Sequence, residues 1–209
     1  DIDGNEYKTI RIGNQVWMAE NLRATHYQNG DEIRSGAIDK SKWHRLSVGA
    51  IASPDGDIKK VTTYGRLYNW HAVSDLRNIA PKGWHIPTDG EWKELELFLG
   101  MDSDEIGDDK IYGEKFRGTN EGEKLKVGVA WVGKNGTNQH GFSALPAGLK
   151  TEYGDYESLG LDALFWSSSV TDSGQFVKAI YRRLKANKKS IGRGIMSAEA
   201  GMSIRCIKD

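Results

Sequence analysis

The chain reads as an α+β fold with a twisted antiparallel sheet, about two helices and long loops. Three observations predict it. One stretch carries a strong helix signal, the C-terminal third alternates with a period of two, and 25 glycines with seven tryptophans in 209 residues favour turns around aromatic packing over long helices. A chain of this length fits one domain, residues 1–209. Such a domain buries roughly 70% of the surface its unfolded chain exposes, so its stability needs neither disulfide nor metal.

Each element has its own signal along the chain. Tyr7, Thr9 and Arg11 alternate with Lys8, Ile10 and Ile12, Gly13-Asn14 marks a turn, and Gln15 to Met18 returns, which spells a hairpin. From about Glu32 to Asp57 the periodicity fails among Gly36, Gly49, Pro54 and Gly56, and this reads as a long surface loop. Thr88-Asp89-Gly90-Glu91 has the spacing of a capping box, Trp92, Leu95 and Leu99 share one helical face, and Gly100 is a stop, so a helix runs from Thr88 to about Leu99. Phe165 to Val170, Phe176 to Lys185 and Met202 to Ile207 are strand-like, separated by Gly174, Gly192, Gly194 and Gly201. In the last of these, Met202, Ile204 and Cys206 share a face and Ser203 and Arg205 point the other way, which predicts a buried, unreactive thiol.

Candidate chemistry is sparse. With Cys206 as its lone cysteine, the chain has neither a disulfide framework nor a zinc or redox Cys-x-x-Cys motif. The acidic run Asp102 to Asp109 fails the calcium-loop template, with Ile106 and Gly113 where oxygen ligands are needed. Asp1 to Asn5 and Asp55 to Asp57 read as turns whose side chains bond their own backbone. Of the five histidines, none has the i, i+4 spacing of a zinc helix, and they read as packed or surface imidazoles. The serine run Ser167 to Ser169 lacks a nucleophile elbow. No catalytic residue, metal site or cofactor is assigned.

Lys plus Arg and Asp plus Glu are both 29, and this balance argues against a nucleic-acid partner. No run approaches the ~18 apolar residues of a membrane span. The chain opens on Asp1 without an initiator Met and reads as a processed or trimmed fragment. Charge is unevenly spread: residues 175–209 hold nine Lys or Arg and two acids. Arg182, Arg183, Lys185, Lys188, Lys189 and Arg193 fall in a stretch free of acids. That cluster is either an anion-binding face, a solvated hairpin protected at its edge by lysines, or a basic strand balancing the acidic loop elsewhere in the fold.

Seven segments in order resemble one family. They are Asp3 to Thr9, Ile12 to Leu22, Tyr64 to Trp70, Gly83 to Trp92, Gly141 to Gly148, Phe165 to Ser169 and Ser203 to Asp209. Together they look like the Fibrobacter succinogenes major paralogous domain, a family of secreted or surface-anchored bacterial modules. The Pro-Thr-x-x-Glu-Trp helix opening, the Trp-Ser-Ser strand and the Arg-Cys strand are also similar to formylglycine-generating sulfatase-modifying enzymes and the wider C-type lectin fold. The resemblance implies a C-type-lectin-like domain. It does not carry over the copper chemistry, which needs a cysteine pair, nor calcium-dependent sugar binding, whose Glu-Pro-Asn and Trp-Asn-Asp signatures are missing.

In function, the resemblance implies a non-enzymatic binding module, secreted or held at the cell surface as a lipoprotein, for a glycan or a surface protein. Two other readings stand beside it: an enzyme that modifies secreted proteins or glycans, and a structural spacer. By the same resemblance, the segment between the Trp-Ser-Ser and Arg-Cys strands is presented outward. It points to Tyr181, Arg183, Lys185 and Asn187, with Tyr156 and Trp166 as stacking groups, and the basic character favours an anionic partner.

Overall fold

The protein is described by a computed structural model over residues 1–35, 39–107, 111, 113–171 and 178–209. Gly36, Asp108, Asp109, Gly174 and Phe176 lie outside the described residues. In chain order the strands are β1 (Thr9–Ile12), β2 (Gln15–Met18), β3 (Ile51–Ala52), β4 (Leu67–Tyr68), β5 (Trp84–His85), β6 (Lys115–Arg117), β7 (Leu149–Lys150), β8 (Tyr156–Glu157), β9 (Asp162–Thr171), β10 (Lys178–Lys185), β11 (Ile191–Ser197) and β12 (Ile207–Lys208). The α-helices are α1 (Lys40–Trp43), α2 (Val61–Tyr64), α3 (Trp70–Val73), α4 (Asp89–Phe98) and α5 (Glu121–Leu125). The fold is thus mixed α and β. Its sheets pair antiparallel in the orders β1-β2-β12-β5, β6-β11-β10-β9, β3-β4 and β7-β8. Among the described residues five helices replace the two expected, but four of them are about one turn long, too short to announce themselves by periodicity.

The N-terminal hairpin forms as its pattern predicts, with Ile12 opposite Gln15 and Gly13 at φ +61° in the turn. Helix α4 also forms as predicted. Thr88 Oγ1 accepts from the Glu91 amide and Glu91 Oε2 accepts from the Thr88 amide, closing the capping box. Trp92, Leu95 and Leu99 are buried, and Trp92 packs against Trp17 and Phe165 with ring centroids 4.9 and 5.8 Å apart.

Three expectations need correction. The stretch from Glu32 to Asp57 is not simply a surface loop: Ile33, Trp43, Leu46, Ala50 and Ile51 are buried, and α1 and β3 lie within it. Apolar residues spaced irregularly can still anchor a loop to the core one at a time. Gly192 and Gly194 do not separate strands but lie inside β11; a Cβ on Gly194 would sit 2.8 Å from the Tyr181 ring. The Met202 to Ile207 segment is a strand only at Ile207–Lys208; before that, Met202 bridges Tyr68 and Ser203 bridges Phe165. The chain there threads between sheets, so Ser203 and Arg205 are buried along with Met202, Ile204 and Cys206.

Cys206 is fully buried and unpaired, and burial pushes its thiol up to about 12. Arg205 donates to Asn21 Oδ1 at 2.7 Å and to the carbonyls of Met18, Phe142 and Ser143, so its buried guanidinium is held by oxygens of the N-terminal and Phe142 segments.

Candidate ligand-binding site

The six residues singled out in the sequence separate into three places. Trp166 is fully buried, donates from Nε1 to the Tyr68 carbonyl at 2.8 Å and meets Tyr181 edge-on. Tyr181 is buried too, with its hydroxyl donating to Glu114 Oε2 at 2.8 Å, and burial raises its pKa well above the ordinary range. Neither ring is available for stacking on a ligand in this arrangement. Both were expected among the outward-presented groups and both instead lie in the core, because β10 is buried on its two faces from Ala179 to Arg182 and opens only from Arg183 onward.

Tyr156 is half-buried on β8 and faces another place, a groove of about 670 Å³ that Trp43 and Lys150 also line. The Lys150 ammonium lies 4.0 Å from the Tyr156 ring centroid and 4.9 Å from that of Trp43. Burial lowers the pKa of Lys150, only partly offset by Asp155.

Arg183, Lys185 and Asn187 come together. They line an open depression of about 520 Å³ with Val132, Gly133, Asn135, Ser158, Leu161, Asp162 and Ala186. Three chain segments build it, and backbone hydrogen bonds stitch them: the Val132 amide donates to Gly160 O at 3.2 Å and the Ala186 amide to Leu161 O at 2.7 Å. Lys126, buried beneath, completes the frame. Its ammonium donates to the carbonyls of Lys185 and Lys188 at 2.9 and 2.8 Å and to Asn135 Oδ1 at 3.4 Å. Asn135 Nδ2 in turn donates to Ala186 O. Burial pushes the Lys126 amine down to about 8, against the pull of Glu123.

The electrostatics of this depression differ from a plain basic face. Arg183 Nη2 is paired with Asp162 Oδ2 and Nη1 with Glu114 at 3.3 Å, so its charge is balanced. Lys134, Lys185 and Lys188 form no ion pair among the described residues, and Lys188 sits 5.2 Å from the Phe116 ring centroid. Exposed Val132 and Leu161 give the walls an apolar character. The arrangement offers cationic ammonium groups, amide and hydroxyl side chains and aliphatic surface in one open place, which suits hydrogen-bonded recognition of a polar ligand.

Two of the six residues of the basic cluster, Arg182 and Arg193, have been taken inside, where Arg117 joins them. Arg182 Nη1 donates to Asp89 Oδ1 at 2.7 Å and Nε to Glu96 Oε1 at 2.6 Å, Arg193 Nη2 to Asp89 Oδ2 at 2.6 Å, and Arg117 Nη2 to Glu96 Oε2 at 2.9 Å. Here the cations balance acids of α4, Asp89 and Glu96, and not the acidic loop that the sequence suggested as their counterpart. Burial alone would raise Asp89, but the bonds from Arg193 and Arg182 outweigh it and hold the carboxyl well below the usual range.

Sequence reasoning missed Asp162, which meets the basic strand through the pairing of β9 with β10, and Leu161, Val132, Asn135 and Ser158, which reach it through loop packing. The one local hint is Ser158, with φ +62° in the turn that opens β9. Among the described residues no three His, Cys, Asp or Glu side chains gather as a metal would require, and no helix is long and apolar enough to cross a membrane.

The family model described as Fibrobacter succinogenes major domain matches residues 10–208. No curated protein and no solved structure matches the chain.

Proposed function

We propose, from the premise that the chain belongs to the Fibrobacter succinogenes major domain family, that it is a non-enzymatic binding module that works outside the cell and takes a glycan in the depression lined by Arg183, Lys185 and Asn187. In this reading residues 1–209 act as a single C-type-lectin-like domain that presents loops over a rigid antiparallel sheet, secreted or anchored at the surface as a lipoprotein. The observation that carries it is the convergence of Lys185, Asn187, Asn135 and Ser158 with the aliphatic walls Val132 and Leu161 in one open place. Amides and hydroxyls satisfy sugar hydroxyls, while aliphatic walls cover the C–H faces of a pyranose.

A glycan-array screen of the chain, followed by titration of each hit at rising salt, tests it. Binding that Asn187→Ala weakens at least tenfold supports the reading. Lys185→Ala should weaken anionic hits and flatten their salt dependence, because an exposed charge is screened over about 8 Å at physiological ionic strength. An empty screen, or hits indifferent to both changes, overturns it and leaves a surface-protein partner or a spacer as the better account.

A further inference from the structure

Beneath the depression, the Asp162–Arg183 pair is only half formed. Asp162 and Arg183 have the atoms for a two-bond fork, yet only Nη2 and Oδ2 meet. Asp162 Oδ1 and Arg183 Nε are both buried without any hydrogen-bond partner. An unpaired acceptor and an unpaired donor within one ion pair are costly to leave dry. Together they match a single group that both donates and accepts, which is the hydroxyl. Asp162 is held firmly, its side chain 3% exposed, and the Arg183 side chain, 20% exposed, is the part free to give way and admit one. Lining the depression, Lys185 carries a charge with no acidic partner among the described residues.

We infer that the preferred ligand is an acidic sugar of the uronate class, with a ring hydroxyl completing the Asp162–Arg183 pair and the carboxylate paired to Lys185. This rests on the glycan reading and narrows it. The hydroxyl donates its proton to Asp162 Oδ1 and accepts from Arg183 Nε, so both orphaned atoms gain a partner without any change of charge.

Calorimetric titration of the whole chain with oligomers of glucuronate, galacturonate and mannuronate tests it. The controls are the carboxyl-reduced, uncharged form of each oligomer and adipate, a dicarboxylate without hydroxyls. One or more of the uronate oligomers should bind at least tenfold more tightly than its reduced form and than adipate. Lys185→Ala should erase the preference for the acidic form over the reduced form, and Asp162→Asn should weaken both by tenfold or more. Should Asp162→Asn fail to fold, the Lys185→Ala comparison and the adipate control still decide. Adipate binding as tightly as the oligomers would remove the hydroxyl from the argument, and reduced oligomers binding as tightly would remove the carboxylate. If no uronate oligomer binds while the array yields neutral glycans sensitive to Asn187→Ala, this inference fails and the broader reading stands.

Discussion

Arg182 and Arg183 are chain neighbours on β10, and they show two ways a fold can use the same side chain. Arg182 is fully buried and joins Asp89 and Glu96 of α4, so it fastens the helix to the sheet from inside. Arg183 points to the opposite face, keeps a fifth of its side chain exposed, and shares Asp162 and Glu114 at the edge of a depression. The period of two that places them on opposite faces is the same physics throughout. What differs is the local cover: α4 lies against Arg182, whereas Arg183 sits at the end of β10 where an open depression begins. A basic run in a sequence therefore need not be one surface, and here Arg182 and Arg193 are inside.

Four experiments break or sharpen this contrast, from the largest effect to the smallest. Glu96→Ala removes the acceptor shared by Arg117 and Arg182 and leaves excess buried cation; we expect a loss of about 3–5 kcal/mol in urea unfolding. A loss under about 1 kcal/mol would erase the distinction between the two faces. Arg183→Ala strips the buried Asp162 of its cation, and because the site is partly wet the cost should be smaller, about 1–3 kcal/mol. Thr88→Ala, which opens the capping box at the end of α4 that carries Asp89, should cost about 1 kcal/mol. Lys185→Ala should change stability by no more than about 0.5 kcal/mol, since it loses no ion pair.

Acid separates the faces as well. Asp89 has a folded value far below its ordinary 3.8, so its contribution is fully present above the unfolded value and is lost as pH falls below about 3.8 toward the folded value. Urea midpoints should therefore drop between about pH 4 and 2, and Asp89→Asn should flatten that drop. His85 works with the opposite sign. Its burial lowers it, but bonds at 2.7 Å to Asp209 and to Glu91 outweigh that and raise it above 6.5. Its small contribution is present below pH 6.5 and fades as pH rises through the folded value, so His85→Gln should remove a shallow decline on the alkaline side.

Several parts of the molecule were written locally and were legible as such. The β1–β2 hairpin needs only alternation and a Gly-Asn turn, and α4 needs only its cap and a stripe of apolar residues, so both arise from interactions within a dozen residues. The burial of Cys206 was expected too, but alternation is not its cause, since Ser203 and Arg205 are buried beside it. The family, too, was readable from ordered short segments, and its model covers residues 10–208.

The candidate site was legible only in part. Arg183, Lys185 and Asn187 were picked out, while Trp166 and Tyr181 belong to the core and Tyr156 to another groove. Whether an aromatic on a strand stacks on a ligand or fills a core depends on what covers that face, and no local pattern states it. Two of the partners that define the depression, Asn135 and Asp162, stand 51 and 21 positions from the residues they meet, as in the Ala186 carbonyl held by Asn135 and the single bond from Arg183 to Asp162. Short-range preference determines hairpins, caps and the alternation of a strand, because their energies are settled among neighbours. Only tertiary packing decides which face stays wet, because burial is a property of everything that comes to lie against it.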